Sequence, residues 1–180
     1  MCVKLASNHD LEEISVRDAY MNAFCDIAEM NDRILAVDAD LSRSINIEKF
    51  KQKYPDRAIN CGVQEANMYA AAAGLSLMGF VPYAHTFACF ASRRACDQIF
   101  ISGAYSHLNV RVVGSDPGIT AVYNCGTHMT FEDLAIFRVI PGMTIVEPSD
   151  STMMKDMVRQ TSFLYGMYYI RLIRRNMPKL

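Results

Sequence analysis

The chain has 180 residues, of which 51% are hydrophobic and 21% charged, enough apolar content for one well-packed domain and too little polarity for disorder. Eighteen basic against nineteen acidic residues leave a formal charge of -1, which excludes a nucleic-acid surface built on bulk positive charge. Every strongly apolar stretch is broken before the roughly 18 residues needed to span a bilayer, so no membrane role is expected.

Helical and strand signals alternate along the chain. Ser15 is placed to cap a helix over Val16–Met30, with Ala19, Ala23, Phe24 and Ile27 on one face. ILAVDAD (34–40) reads as a buried strand ending in acids, and a helix over Ile45–Tyr54 is stopped by Pro55. A short strand near Ala58–Cys61 leads into a helix over Glu65–Met78, whose Tyr69–Ala73 stretch is apolar on every side. The next strand is FVPYAHTF (80–87), followed by a helix to about Tyr105 and the strand NVRVVGSD (109–116). A loop rich in Gly, Asn and Thr covers Pro117–Met129, then a helix covers Phe131–Ile140 and PGMTIVEP (141–148) forms a turn and strand. Asp150 caps a further helix, and MYYIRL (167–172) is the last strand. Six strands alternating with helices predict an α/β fold, a doubly wound, mostly parallel six-stranded sheet with helices on both faces.

In such sheets ligands collect at the carboxyl ends of the strands. The residues that follow each strand are Asp38, Asp40 and Ser44; Gln64 and Glu65; Thr86, Phe87 and Phe90; Ser115, Asp116, Asn124, Thr127 and His128; Glu147 and Asp150; and Arg174 and Arg175. Glu65 is the sharpest of these. It opens an otherwise apolar helix, where an acid gains about 0.3–1 kcal/mol from the helix dipole with no functional role at all. Its alternative use is to hold or protonate a ligand nitrogen.

The first fifteen residues lack a basic start followed by an apolar core, so no secretory signal is visible. No two of the six cysteines stand in a C-x-x-C pair, so neither a zinc knuckle nor a dithiol redox motif is written here. Reduced thiols and a cytoplasmic location are therefore expected.

The strings GVQEANM, HTFACFASRRACDQ, VVGSDPGI, CGTHMTFEDLAIFRVIPGMTIVEPSD and YYIRLIRRN occur in this order. Together they resemble the pyrimidine-binding domain of transketolase, most closely the carboxy-terminal subunit of its two-chain form. The resemblance covers residues 15 to 175, and it divides the chain into an N-terminal extension (1–14) and this domain (15–180). Deoxyxylulose phosphate synthase and the β chain of pyruvate dehydrogenase share the domain type, but GVQE and GTHM favour transketolase. What the resemblance implies is the transfer of a two-carbon ketol unit between sugar phosphates, with thiamine diphosphate and Mg²⁺ as cofactors.

In that family the glutamate matched by Glu65 bonds a ring nitrogen of the cofactor's aminopyrimidine and favours the tautomer that activates the thiazolium carbon. Phe87 and Phe90 match the aromatic wall of the pyrimidine site, although two apolar residues three apart are by default core. Arg93 stands where a third aromatic is frequent. Asp40 and Leu41 match a pair close to the cofactor, where an acid at a strand end could equally cap the next helix. Arg17, Ser44 and Arg174 match positions that hold the sugar phosphate, and His128 matches a histidine at the reacting end of the ketose. Asn124 replaces a frequent aspartate, and Ser115 replaces a second histidine.

The family's GDG…NN string, which holds the diphosphate through Mg²⁺, is missing from this sequence. The resemblance thus implies a diphosphate-binding partner subunit, which also supplies the metal ligands, and a dimer or higher oligomer. The all-apolar stretch after Glu65 suits such an interface. It also implies that the chain stops where the family's third domain would begin. Two rivals stand beside this reading: a thiamine-diphosphate enzyme that uses pyruvate as donor, and a non-catalytic interaction module.

Overall fold

Apolar residues on the strands alternate between two faces, and each face is covered by its own helices. The computed structural model describes residues 10–179. Its strands are β1 (Ile34–Asp38), β2 (Ala58–Asn60), β3 (Val81–Phe87), β4 (Arg111–Ser115), β5 (Met143–Val146) and β6 (Met167–Leu172). They form one sheet in the order β2-β1-β3-β4-β6-β5, and every pairing is parallel. The expected sheet is therefore present without an antiparallel member, since each connection is a helical crossover.

One face is packed by α1 (Val16–Met30), α2 (Ser42–Ile45), α3 (Glu48–Lys53) and α7 (Ser151–Phe163). Its core joins Tyr20, Phe24, Ile27, Ile45 and Phe50 to Ile34, Tyr83, Val113 and Ile170. The other face carries α4 (Glu65–Leu77), α5 (Ala88–Gln98) and α6 (Asp133–Arg138). There Met68, Tyr69, Ala72, Ala91, Ala95 and Phe137 meet Val37, Ala84, Val112 and Tyr169. Period-2 alternation along each strand makes both layers possible.

Local chemistry sets the ends of the elements. The Ser15 hydroxyl accepts the Asp18 amide at 3.1 Å, and Asp150 accepts the Met153 amide at 2.6 Å, so both predicted caps form. Arg111, fully buried, donates to the Thr161 and Leu164 carbonyls at the end of α7 while its guanidinium lies over the Tyr83 and Tyr168 rings. Residues 10–14 lie against the carboxy-terminal segment. Leu11 bridges Pro178, the Glu12 amide donates to the Met177 carbonyl, and the Glu12 carboxylate accepts the Ser151 amide at 3.0 Å. Residues 1–9 of the expected extension lie outside the described residues.

The helix expected over Ile45–Tyr54 is split. Asn46 adopts φ +65°, which lets Ile45 and Ile47 both reach the core and breaks the helix into α2 and α3. Helix α5 does not run evenly to Tyr105; it continues through a π-helical stretch, Ile99–Ala104. The helix after Phe131 begins two residues late, at Asp133. No helix among the described residues is long and apolar enough to cross a membrane. Cys25, Cys61, Cys89, Cys96 and Cys125 are free thiols.

A close approach at Gly114 sets the height of α5 above the sheet. A Cβ there would lie 2.8 Å from the Tyr169 ring and 3.0 Å from the Ala88 Cα. The ring cannot retreat, because the buried Tyr169 hydroxyl donates to Asp133 at 2.6 Å. Gly114→Ala should lower stability by about 1–3 kcal/mol in urea unfolding, the scale of overpacking; an unchanged midpoint would show that α5 is free to lift.

Behind the site, His85 is fully buried, with Nδ1 3.1 Å from the Val37 carbonyl and Nε2 2.7 Å from the Tyr20 hydroxyl. A carbonyl only accepts, so Nδ1 carries the proton and Nε2 accepts from Tyr20. Burial pushes the His85 pKa down to about 4, against 6.5 for a free histidine. The unfolded chain takes up this proton near pH 6.5 and the native one does not, so the stability linked to His85 is complete above pH 6.5. It is lost as the pH falls toward 4, by up to about 3 kcal/mol. Urea unfolding between pH 7 and 4.5 should show this slope, and His85→Asn should flatten it.

Candidate active site

The sheet order changes direction at β1, whose neighbours β2 and β3 lie on opposite sides of it. The chain leaves β1 toward one face of the sheet and leaves β3 toward the other. A crevice opens between such diverging connections.

Glu65 is the first residue of α4 and is only 3% exposed. Its carboxylate accepts from the Thr86 hydroxyl at 3.3 Å and from Arg94 at 3.1 Å. Burying a carboxylate is costly without such partners. Thr86 is the next-to-last residue of β3 and Arg94 lies on α5, so three consecutive elements converge on one side chain.

Phe87 and Phe90 bracket the β3–α5 junction with ring centroids 5.8 Å apart and nearly perpendicular. His128 completes a three-ring cluster, 5.1 Å from Phe87 and 5.0 Å from Phe90. The Arg94 guanidinium covers Phe90 at 3.9 Å. Phe87, Phe90 and His128 thus form one cluster, and Arg94 links its Phe90 edge to Glu65.

The loop carrying His128 is fastened by Arg93. This residue donates to the Met129 carbonyl at 2.8 Å and pairs with Glu132. The bond to Arg93 holds the Glu132 carboxyl down to about 2. An arginine at the position where the family often has an aromatic therefore anchors a loop. Within that loop Thr127 Oγ1 lies 2.9 Å from His128 Nδ1.

Of the expected anion-binding residues, Arg17 and Arg174 converge, while Ser44 lines a different cavity. Arg17 and Arg174 line one cavity of about 270 Å³ with Asp116, Thr120, Tyr123 and Arg175. Arg17 donates to the Ser44 carbonyl at 3.3 Å, so Ser44 stands beside it through its backbone. Arg174 is oriented by the buried Asp116 at 2.7 Å and reaches over Phe87 at 5.6 Å, which links this cavity to the aromatic cluster. Asp40, Leu41 and the Ser44 side line a separate cavity of about 380 Å³. Asp40 does not cap the next helix: it takes φ +64° and exchanges hydrogen bonds with Asn60. Asp38 instead accepts from the Leu41 amide at 2.9 Å and the Ser42 hydroxyl at 3.1 Å, which ties the end of β1 to the start of α2, a helix with no side-chain cap of its own.

Sequence reasoning gives Arg94, Asp116, Tyr123 and Arg175 no defined place in the site. Arg94 had a readable signal, since it follows Phe90 by one helical turn and so shares its face. The contact between Arg174 and Asp116 spans 58 residues and has no local signature. At the opposite rim of β5 and β6, Asp133 accepts from Tyr169 and from Arg171 at 2.8 Å, a buried polar brace that sequence reading also passed over.

Comparison with known proteins fits this arrangement. The sequence profile of the transketolase pyrimidine-binding domain matches residues 12–179. The chain belongs to that family. Among transketolase relatives, it is 52% identical over 92% of its length to the 6-deoxy-6-sulfo-D-fructose transketolase subunit SqwH of Clostridium sp. (strain MSTE9), and spans 51% of that protein. It is 35% identical to a putative transketolase C-terminal section of Methanocaldococcus jannaschii over 89% of the chain, again spanning 51% of the relative. Human transketolase is 36% identical over 91% of the chain, which spans 26% of that enzyme. Of solved structures, a split-gene transketolase described as an inactive beta4 tetramer superposes with TM-score 0.83 at 36% identity, covering 93% of this chain and 54% of the other. The chain thus spans about half the length of its split-type transketolase relatives.

The family implies thiamine diphosphate and a divalent metal, and the residues present fit the pyrimidine half of that cofactor. The fit rests on the buried Glu65 acceptor beside a Phe90 ring face that already takes a flat cation. Among the described residues no group of three or more His, Cys, Asp or Glu is placed to hold a metal ion.

Because Arg93 alone joins the His128 loop to α5 by side-chain bonds, Arg93→Ala should loosen it. Amide exchange at His128, whose N–H donates to the Cys125 carbonyl, should accelerate several-fold. Global stability should move by no more than about 0.5 kcal/mol. Unchanged exchange would mean that the loop holds itself.

Proposed function

We propose that this chain supplies the pyrimidine half of a thiamine-diphosphate site in a ketol transferase, completed by a diphosphate-binding partner subunit. The observation that carries the reading is the buried Glu65 carboxylate, joined through Arg94 to the Phe90 ring of the Phe87–Phe90–His128 cluster. When bound, thiamine diphosphate would supply the carbon nucleophile for ketol transfer. Glu65 holds a proton at the pyrimidine ring nitrogen, and Phe87 and Phe90 seat the ring against the β3–α5 junction. Asp40 and Leu41 border the cofactor from the β1 side. His128, on a loop braced by Arg93, orients the reacting end of the ketose by hydrogen bonding. Mg²⁺ and the diphosphate belong to the partner subunit, and the two chains assemble as a dimer or higher oligomer in the cytoplasm. The face of α4 turned from the sheet exposes Asn67, Ala70 and Gly74, and the last two have side chains small enough to leave room for a partner's close approach.

At the far end Arg17 and Arg174, with Ser44 beside them, neutralise the terminal anion of the substrate. Guanidinium forks suit phosphate oxygens, and sugar phosphates are the family's substrates. They suit sulfonate oxygens equally. The 52% identity to a subunit named for 6-deoxy-6-sulfo-D-fructose favours a second reading, in which the donor ketose carries a sulfonate at this position.

The test uses the chain assembled with a diphosphate-binding subunit, thiamine diphosphate and Mg²⁺. Ketol transfer is expected from fructose 6-phosphate or 6-deoxy-6-sulfofructose, with the faster donor naming the anion. Turnover of pyruvate instead would replace this reading with the pyruvate-using rival. Absence of cofactor binding in the assembly would leave only the interaction module. Glu65→Ala should lower turnover at least about a hundredfold with an unchanged circular-dichroism spectrum; near-normal turnover would remove Glu65 from the mechanism. The isolated chain should bind thiamine diphosphate weakly or not at all, which equilibrium dialysis would check.

A further inference from the structure

Two adjacent arginines on α5 behave differently. Arg93 is drawn to Glu132 and the Met129 carbonyl. Arg94 turns instead into the crevice, where Nη1 donates to both Glu65 oxygens at 3.1 and 3.3 Å and the guanidinium carbon stands 3.9 Å over the Phe90 ring. At that separation the guanidinium lies against the ring face, a contact that a flat, delocalised cation makes well.

Arg94 thereby takes the acceptor edge of Glu65 and a face of Phe90 together. A flat aminopyrimidine recognised by the same carboxylate and the same ring calls on the same two surfaces. The arginine is not locked in place, because its side chain is 49% exposed whereas that of Glu65 is 3% exposed. Rotation of the long side chain alone carries it into solvent without movement of α5. Solvent reaches the arginine end of the pair, so a partly screened ion pair and one cation–π contact are what hold it there.

We propose that Arg94 is a displaceable plug of the pyrimidine seat: guanidinium and aminopyrimidine exclude one another at Glu65 and Phe90, and cofactor entry expels the arginine to the mouth of the crevice. The inference rests on the reading of Glu65 and Phe90 as that seat. While the plug is in, the buried carboxylate keeps a countercharge, and Arg94 releases it only to a ligand that bonds the same oxygens. Arg94 is thus a positioning residue that sets how readily the cofactor loads.

The test is equilibrium dialysis and stopped-flow binding of thiamine diphosphate, at fixed Mg²⁺, to the chain assembled with its diphosphate-binding subunit. Arg94→Met keeps the alkyl stem and removes the guanidinium. It should bind the cofactor about tenfold more tightly, the combined scale of the ion pair and the cation–π interaction that hold the plug, with the gain chiefly in the association rate. Arg94→Lys, charged but not flat, should gain less and serves if the Met variant misfolds. Weaker binding by both would make Arg94 a permanent cofactor ligand, and unchanged binding a merely structural ion pair; either overturns the plug. Glu65→Gln run in parallel separates the two levels. If it loses affinity while Arg94→Met fails to gain, only the plug falls; if it binds as well as the parent, the seat itself is misread.

Discussion

A carboxylate taken out of water has to be matched by donors, and much of the organisation at one end of this sheet answers to that demand at Glu65. Removing a charged group from solvent costs several kcal/mol unless partners replace the lost water. Here one partner stands near the end of the inner strand β3 and the other projects from the helix that follows it. Position 65 can be charged and buried only if α4, β3 and α5 keep their mutual register. Gly114 maintains part of that register by letting the start of α5 lie directly on β4. The chemistry of the crevice and the packing of the second face are therefore one problem.

Much of the architecture was legible because it is local and periodic. Strands buried on both faces read as apolar runs, and Ser15 and Asp150 announce their helices through a single side-chain bond each. What resisted reading was set by longer-range competition. Asn46 takes a left-handed conformation because two neighbouring isoleucines must both be buried, and no helical periodicity contains that instruction. Neither acid after β1 caps α2: Asp38 turns to the Leu41 amide and the Ser42 hydroxyl, while Asp40 is turned away to Asn60 on the adjacent strand.

The site divides in the same way. Of the residues in recognisable strings, Phe87, Phe90 and His128 fall into one cluster, which Arg94 links to Glu65. Residues whose meaning depends on what folds beside them were opaque. The resemblance points to Arg174, but nothing local points to Asp116, the acid that orients it from the end of the neighbouring strand. Arg93 reads as the loss of an aromatic, yet it secures the loop that presents His128. A substitution that looks like a defect in a string can thus be a replacement by different physics.

The rims of the sheet carry a consequence of their own. Its outermost strands, β2 and β5, have only three and four residues, and prolines stand close by at Pro55, Pro141 and Pro148. Such short margins offer few free amides and carbonyls to an incoming strand. Lateral growth of the sheet into fibrils or swapped pairs is discouraged, and recruitment of other polypeptides is left to the helical layers, where contacts are set by side-chain shape rather than by generic backbone pairing.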